Sequence, residues 1–81
     1  MGSIRSVRLY FAPECHLCES ARRVLANVGA EIPFELEEVD ITDDPELERR
    51  YRERLPVVLI DGEEVFTYFV YPDALRQRVG R

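Results

Sequence analysis

The residues best able to do chemistry are Cys15 and Cys18, the only two cysteines of the 81-residue chain, set in the run Cys15-His16-Leu17-Cys18. Two thiols at this spacing can cycle between dithiol and disulfide, or supply two thiolates to a metal or a cluster edge. Their setting favours the first use. Val7, Leu9 and Phe11 alternate as in a strand, and Pro13 ends it. An apolar stripe with helical spacing then runs through Leu17, Ala21, Val24, Leu25 and Val28. Cys15 therefore falls at or just before the first turn of a helix, where free backbone N–H groups and the positive end of the dipole stabilise a thiolate, the nucleophilic form. Cys18 falls one turn deeper, placed to attack a mixed disulfide formed at Cys15 and close an internal one. No metal is assigned. A closed zinc site needs four donors, and one chain offers the two cysteines and at most His16, its single histidine.

His16 follows the nucleophile at a helix start that disfavours its protonation. It reads either as a tuner of Cys15 or as an exposed residue with little effect. Glu14 repels a Cys15 thiolate if it turns inward, and solvent is its natural place.

The remaining elements must hold this pair. Phe34–Ile41 reads as a second strand, although Phe34 and Leu36 are out of phase with Val39 and Ile41, which calls for a late start or a bulge. Gly29 suits the C-terminal cap of the first helix. Asp43-Asp44-Pro45-Glu46 opens a second helix running to about Arg54, with Glu46/Arg50 and Glu48/Arg52 in the favourable i, i+4 order. Val57-Val58-Leu59-Ile60 is apolar throughout, as in a strand covered on both faces. Asp61-Gly62 signals a hairpin, Val65–Val70 returns, and Pro72 opens a last helix carrying Ala74, Leu75 and Val79. The order β-α-β-α-β-β-α gives an α/β fold, a small mixed sheet flanked by three helices in one domain over residues 1–81. Tyr10, Phe11, Tyr51, Phe66, Tyr68, Phe69 and Tyr71 are read as core and hairpin packing, with Tyr71 the exception that borders the site.

The formal net charge is −5, from 16 acids and 11 bases. Nine acids fall between Glu31 and Glu48 with no base among them, a solvated face that repels phosphate backbones and excludes nucleic acid as an expected partner. No apolar run reaches membrane-spanning length, and the first residues lack the apolar stretch of a signal peptide. The cytoplasm is therefore the expected location. Gly2-Ser3 reads equally as native or as a cloning remnant.

With a Leu55-Pro56 step placed before the apolar Val57–Ile60 strand, the chain resembles the glutaredoxin-like members of the thioredoxin superfamily from about Val7 to Val79. More narrowly, it is similar to small bacterial glutaredoxin-like proteins with a Cys-His-Leu-Cys site. The resemblance implies a thioredoxin-like, four-stranded sheet in the order 2-1-3-4, Cys15 as nucleophile, Cys18 as resolving thiol, and a cis peptide at Leu55-Pro56. That proline faces the cysteines and leaves the Leu55 backbone open to an extended substrate.

Two departures from the glutathione-using pattern stand out. Ala12 occupies a position that is usually basic. Phe69-Val70-Tyr71-Pro72-Asp73 replaces a Gly-Gly-Asp-like turn that grips the γ-glutamyl carboxylate. Arg52 or Arg54 could still pair with a glycyl carboxylate, although solvating the end of the second helix accounts for both.

The resulting expectation is a thiol–disulfide oxidoreductase that reduces disulfides of proteins or small thiols in the cytoplasm. Its substrate contacts are Pro13, Arg54, Leu55, Pro56 and Tyr71. No cofactor is required, glutathione is an optional co-substrate, and a reductase or thiol reductant closes the cycle. A monomer without membrane contact is expected. The alternatives are a metal or iron–sulfur carrier completed by a dimer or glutathione, and a thioredoxin-fold binding module without turnover.

Overall fold

The computed structural model describes residues 4–80; Gly2 and Ser3 lie outside the described residues. Strand β1 (Ser6–Phe11) leads into helix α1 (His16–Glu31), strand β2 (Glu35–Asp40) and a 3₁₀ turn at Ile41–Asp43. Helix α2 (Pro45–Tyr51) tightens into a second 3₁₀ turn at Arg52–Arg54. Strands β3 (Val57–Ile60) and β4 (Glu63–Thr67) and helix α3 (Pro72–Val79) complete the order. The sheet runs β2-β1-β3-β4, with β1 parallel to β2 and both other pairs antiparallel. This is the order the resemblance implied.

The sheet is apolar on both faces because β1 and β3 present residues to both. Val7, Leu9, Val58 and Ile60 pack with Ala21, Leu25 and Val28 of α1 and Leu75 and Val79 of α3. Tyr10 and Val57 pack with Ile41, Tyr51 and Leu55 on the other side, and Ala12 and Cys18 belong to this second cluster. The Val57–Ile60 run is therefore covered on both faces, as its continuous apolarity required.

Several local readings shift. The buried stripe of α1 is Cys18, Ala21, Leu25 and Val28, while Leu17 stays 37% exposed. Gly29 lies inside α1, not at its cap. The Phe34 ring lies so close that a Cβ there would sit 3.3 Å from it. The helix stops instead at Ile32, held extended (φ −128°, ψ 103°) as a residue before proline should be. In β2 the late start wins over the bulge: the strand begins at Glu35, pairs with β1 in unbroken register, and leaves Phe34 outside.

Asp61 (φ 52°) and Gly62 (φ 85°) are both left-handed, the conformation that a two-residue hairpin matching strand twist demands. The irregularity of the β3–β4 ladder lies between Val58 and Leu59. Strand β4 ends at Thr67, earlier than its apolar run, because Tyr68 turns left-handed (φ 71°). Tyr68, Phe69 and Tyr71 are 45%, 54% and 61% exposed, so the aromatic set is less buried than its composition implied.

The acidic stretch is partly neutralised by arginines from elsewhere: Glu31 pairs with Arg76, Glu37 with Arg8, Glu38 with Arg22 and Glu48 with Arg52. The expected Glu46/Arg50 pair does not form. Among the described residues, no helix is long and apolar enough to cross a membrane.

Candidate active site

The end of β1 and the start of α1 build the site. Ala12 is buried beneath the turn, and Pro13 and Glu14 are exposed on it. Glu14 is left-handed (φ 58°), an uncommon conformation for a side chain with a Cβ, and it delivers the chain to Cys15. Cys15 caps α1 in extended conformation (φ −115°, ψ 107°). The backbone N–H of Cys18 donates to Cys15 Sγ at 3.2 Å, and the N–H of Glu19 donates to the Cys15 carbonyl at 3.1 Å. One of the N–H groups a helix start leaves without a partner is thus aimed at the sulfur, where it favours negative charge.

The two cysteines form a disulfide across a Cα–Cα separation of 5.2 Å. They differ in exposure. Cys15 is partly exposed, whereas Cys18 is 4% exposed within the second core cluster. An accessible attacking sulfur and a sheltered resolving sulfur are the asymmetry that dithiol exchange uses.

Leu55 lies in the same buried cluster as Cys18, and Cys15 packs against that cluster. The Leu55–Pro56 peptide is cis, and Pro56 is fully buried. The Pro56 carbonyl accepts from the Tyr68 N–H at 3.0 Å. Of the residues singled out from sequence, Cys15, Cys18 and Leu55 are brought together, with Pro56 adjoining. Other candidates make further contacts. Tyr71 precedes α3, and its ring meets Phe66, a member of the other core cluster, at 6.5 Å. Arg54 is held by Glu64 at 2.6 Å and lies over the Tyr51 ring at 5.4 Å, while Arg52 makes a two-point pair with Glu48. Glu48 holds Arg52 all the more firmly in its charged form. Asp40, at the end of β2, has its carboxyl lowered by hydrogen bonds from the Thr42 hydroxyl and backbone N–H. His16 is exposed as the first residue of α1, and its ring makes no hydrogen bond to Cys15 among the described residues.

Three residues support the site in ways the sequence reading did not specify. Tyr51 stacks on Tyr10 with ring centroids 4.4 Å apart, forming part of the cluster that buries Cys18. Tyr68 braces the loop, its hydroxyl donating to the Glu53 carbonyl at 3.0 Å while its N–H holds Pro56. Glu14 carries no sequence signal for a positive φ. Only the tight Pro13-Glu14-Cys15 corner before a helix points to it.

The family model described as glutaredoxin-like domain (DUF836) matches residues 6–80. An uncharacterised protein of Mycobacterium tuberculosis is 31% identical over 80 residues, covering 93% of this chain and 82% of that one. The solution structure of a Nitrosomonas europaea protein superposes with a TM-score of 0.82 at 28% identity, covering 98% of this chain and 95% of that one. NrdH-redoxin from Escherichia coli, described as a glutaredoxin-like protein with a thioredoxin-like activity profile, has a TM-score of 0.65 at 22% identity. That match covers 89% of this chain and 92% of the other, and at this identity it speaks for the fold alone.

Proposed function

The chain belongs to the glutaredoxin-like domain family (DUF836), and on that premise we propose that it is a thiol–disulfide oxidoreductase working through Cys15 and Cys18. The observation that carries the reading is the unequal pair. Cys15 is an accessible helix-capping sulfur receiving an N–H, bonded to a buried Cys18 one turn away.

In the reduced protein, the Cys15 thiolate attacks one sulfur of a substrate disulfide. A Cys15–substrate bond forms, the substrate S–S bond breaks, and the departing thiolate takes up a proton. Cys18, giving up its proton, then attacks Cys15 Sγ, closing the Cys15–Cys18 disulfide and expelling the second substrate thiolate, which is protonated in turn. The substrate gains two electrons and two protons; the cysteine pair gives up both electrons and the Cys18 proton, and solvent supplies the other proton. A reductase or dithiol reductant restores the pair by the reverse exchange.

The substrates are disulfides of proteins or of small thiols, and a cytoplasmic setting favours net reduction. The chemistry requires no metal or organic cofactor. Glutathione remains an optional co-substrate, with Ala12 and the Phe69–Asp73 stretch offering neither usual contact and Arg54 engaged by Glu64. The protein is proposed to act as a monomer, with Leu55, Pro56, Pro13 and Tyr71 as its substrate contacts. His16 is exposed and its ring makes no hydrogen bond to Cys15, so any tuning of Cys15 by His16 does not run through a direct bond.

The test is Cys18→Ser in a cell extract. The variant should accumulate mixed disulfides on Cys15, released by dithiothreitol and absent from Cys15→Ser. An extract that yields no Cys15 adduct contradicts the reading.

A further inference from the structure

Outside the cysteine site the most unusual surface is Arg49-Arg50-Tyr51-Arg52-Glu53-Arg54. It places four of the 11 bases within six residues of a molecule whose net charge is −5. All of them but the buried Tyr51 line one open depression together with Glu48. Arg52 and Arg54 are committed to Glu48 and Glu64. Arg49 and Arg50, both exposed in the last turn of α2, have no ion pair or hydrogen-bonding partner among the described residues. Among the described residues, every other arginine has one; even Arg23 reaches the Ser20 hydroxyl.

The segment carrying these cations adjoins the redox centre. Tyr51, next to Arg50, is buried in the cluster that holds Cys18 and Leu55. Tyr68 ties the Glu53 carbonyl to the Pro56 carbonyl through its hydroxyl and its N–H. Two unneutralised guanidinium groups thus sit on the outer side of a segment whose inner side packs toward Cys18. The depression is more open than enclosed, a shape that suits an extended chain better than a small molecule. The depression is lined by four arginines against two acids, Glu48 and Glu53. Screening over about 8 Å at physiological salt lets this locally positive balance, and not the acids farther off, decide what docks.

We propose that Arg49 and Arg50 dock an acidic segment of the protein partner whose disulfide the cysteine pair exchanges. The partner's role as substrate rests on the oxidoreductase reading; the docking itself does not.

The test separates the two. Two peptides of equal length are prepared, one rich in Asp and Glu and one with Ser and Gln in their place, each with its cysteines replaced by Ser. Their binding to the oxidised full chain, and to an Arg49→Gln/Arg50→Gln variant with an unchanged melting curve, is read by fluorescence anisotropy. The acidic peptide should bind about tenfold tighter than the neutral one, and the preference should vanish in the variant and in about 0.5 M salt. Equal binding of the two peptides, or a preference that survives in the variant, overturns the proposal. Disulfide-bearing versions are then offered to the reduced protein. Faster reduction of the acidic one by the wild type but not by the variant supports both readings. Arginine-dependent binding with neither disulfide reduced upholds the docking surface and overturns the oxidoreductase reading.

Discussion

The backbone N–H of Cys18 points at the sulfur of Cys15 from 3.2 Å, so the residue proposed to resolve also supplies the dipole that favours charge on the proposed nucleophile. The capping geometry and the spacing of two are one device. At this separation the second cysteine is both one turn deeper and the donor of a helix-start N–H.

Reduced protein given a short pulse of iodoacetamide near neutral pH should be alkylated at Cys15 at least about ten times faster than at Cys18. Cys15 is partly exposed and capped, whereas Cys18 is buried, and thiolate character and access both govern the rate. Peptide mass mapping reads the ratio. Equal labelling would remove the asymmetry on which the mechanism depends.

Asp44 caps α2, its Oδ1 accepting from the N–H groups of Glu46 at 2.9 Å and Leu47 at 3.4 Å. Asp44→Ala should cost about 1 kcal/mol of stability, and Asp44→Asn much less. In a domain of this size the alanine variant should melt about 4–8 °C lower. An unchanged melting temperature would mean that α2 does not depend on its cap.

Tyr51→Ala removes the ring stacked on Tyr10 and opens the cluster around Cys18. The expected loss is about 3–5 kcal/mol, as for other large buried aromatics, whereas Tyr51→Phe keeps the stack and should stay within about 1 kcal/mol. Urea unfolding at matched slope distinguishes the two. The alanine variant should also expose Cys18 to alkylation before global unfolding.

Asp61 has its carboxyl lowered by the hydrogen bond from the Ser6 N–H and then by that from Arg5. A carboxyl lowered in the folded state binds fewer protons there than in the unfolded chain. It therefore stabilises the fold above its unfolded value, and this contribution is lost as pH falls through the folded value. Asp61→Asn retains a residue tolerant of the left-handed turn but removes the charge. The stability gap between wild type and Asp61→Asn should be present near neutral pH and close in acid. A gap independent of pH would assign the role of Asp61 to turn geometry alone.

The parts legible in the sequence were those with short-range causes. Cysteine spacing after a strand, Asp61-Gly62 between two apolar runs, and Asp44 before Pro45 each act within a few residues, and each appears where it was read. The parts that were not legible depend on distant neighbours. Gly29 carries a cap signal, but the Phe34 ring arriving from beyond α1 occupies the space a side chain there would need, and Pro33 sets the end. Leu17 matches the helical stripe, yet Cys18 takes the inward position and Leu17 turns to solvent. The exposed aromatics after β4 look like a strand continuation until Tyr68 turns left-handed toward Pro56 and Glu53, a tertiary choice that no local pattern encodes. For the same reason Tyr10 and Tyr51 were readable as core residues, whereas their stacking on each other in the cluster that holds Cys18 was not.

The most direct test of the central claim is a redox titration of the full chain in glutathione buffers, quenched by alkylation and read by intact mass. The account predicts a reversible two-electron transition between dithiol and internal Cys15–Cys18 disulfide, centred in the range set by cellular thiols and abolished in Cys15→Ser and Cys18→Ser. A pair that stays dithiol at every buffer composition, or that never closes reversibly, would contradict it.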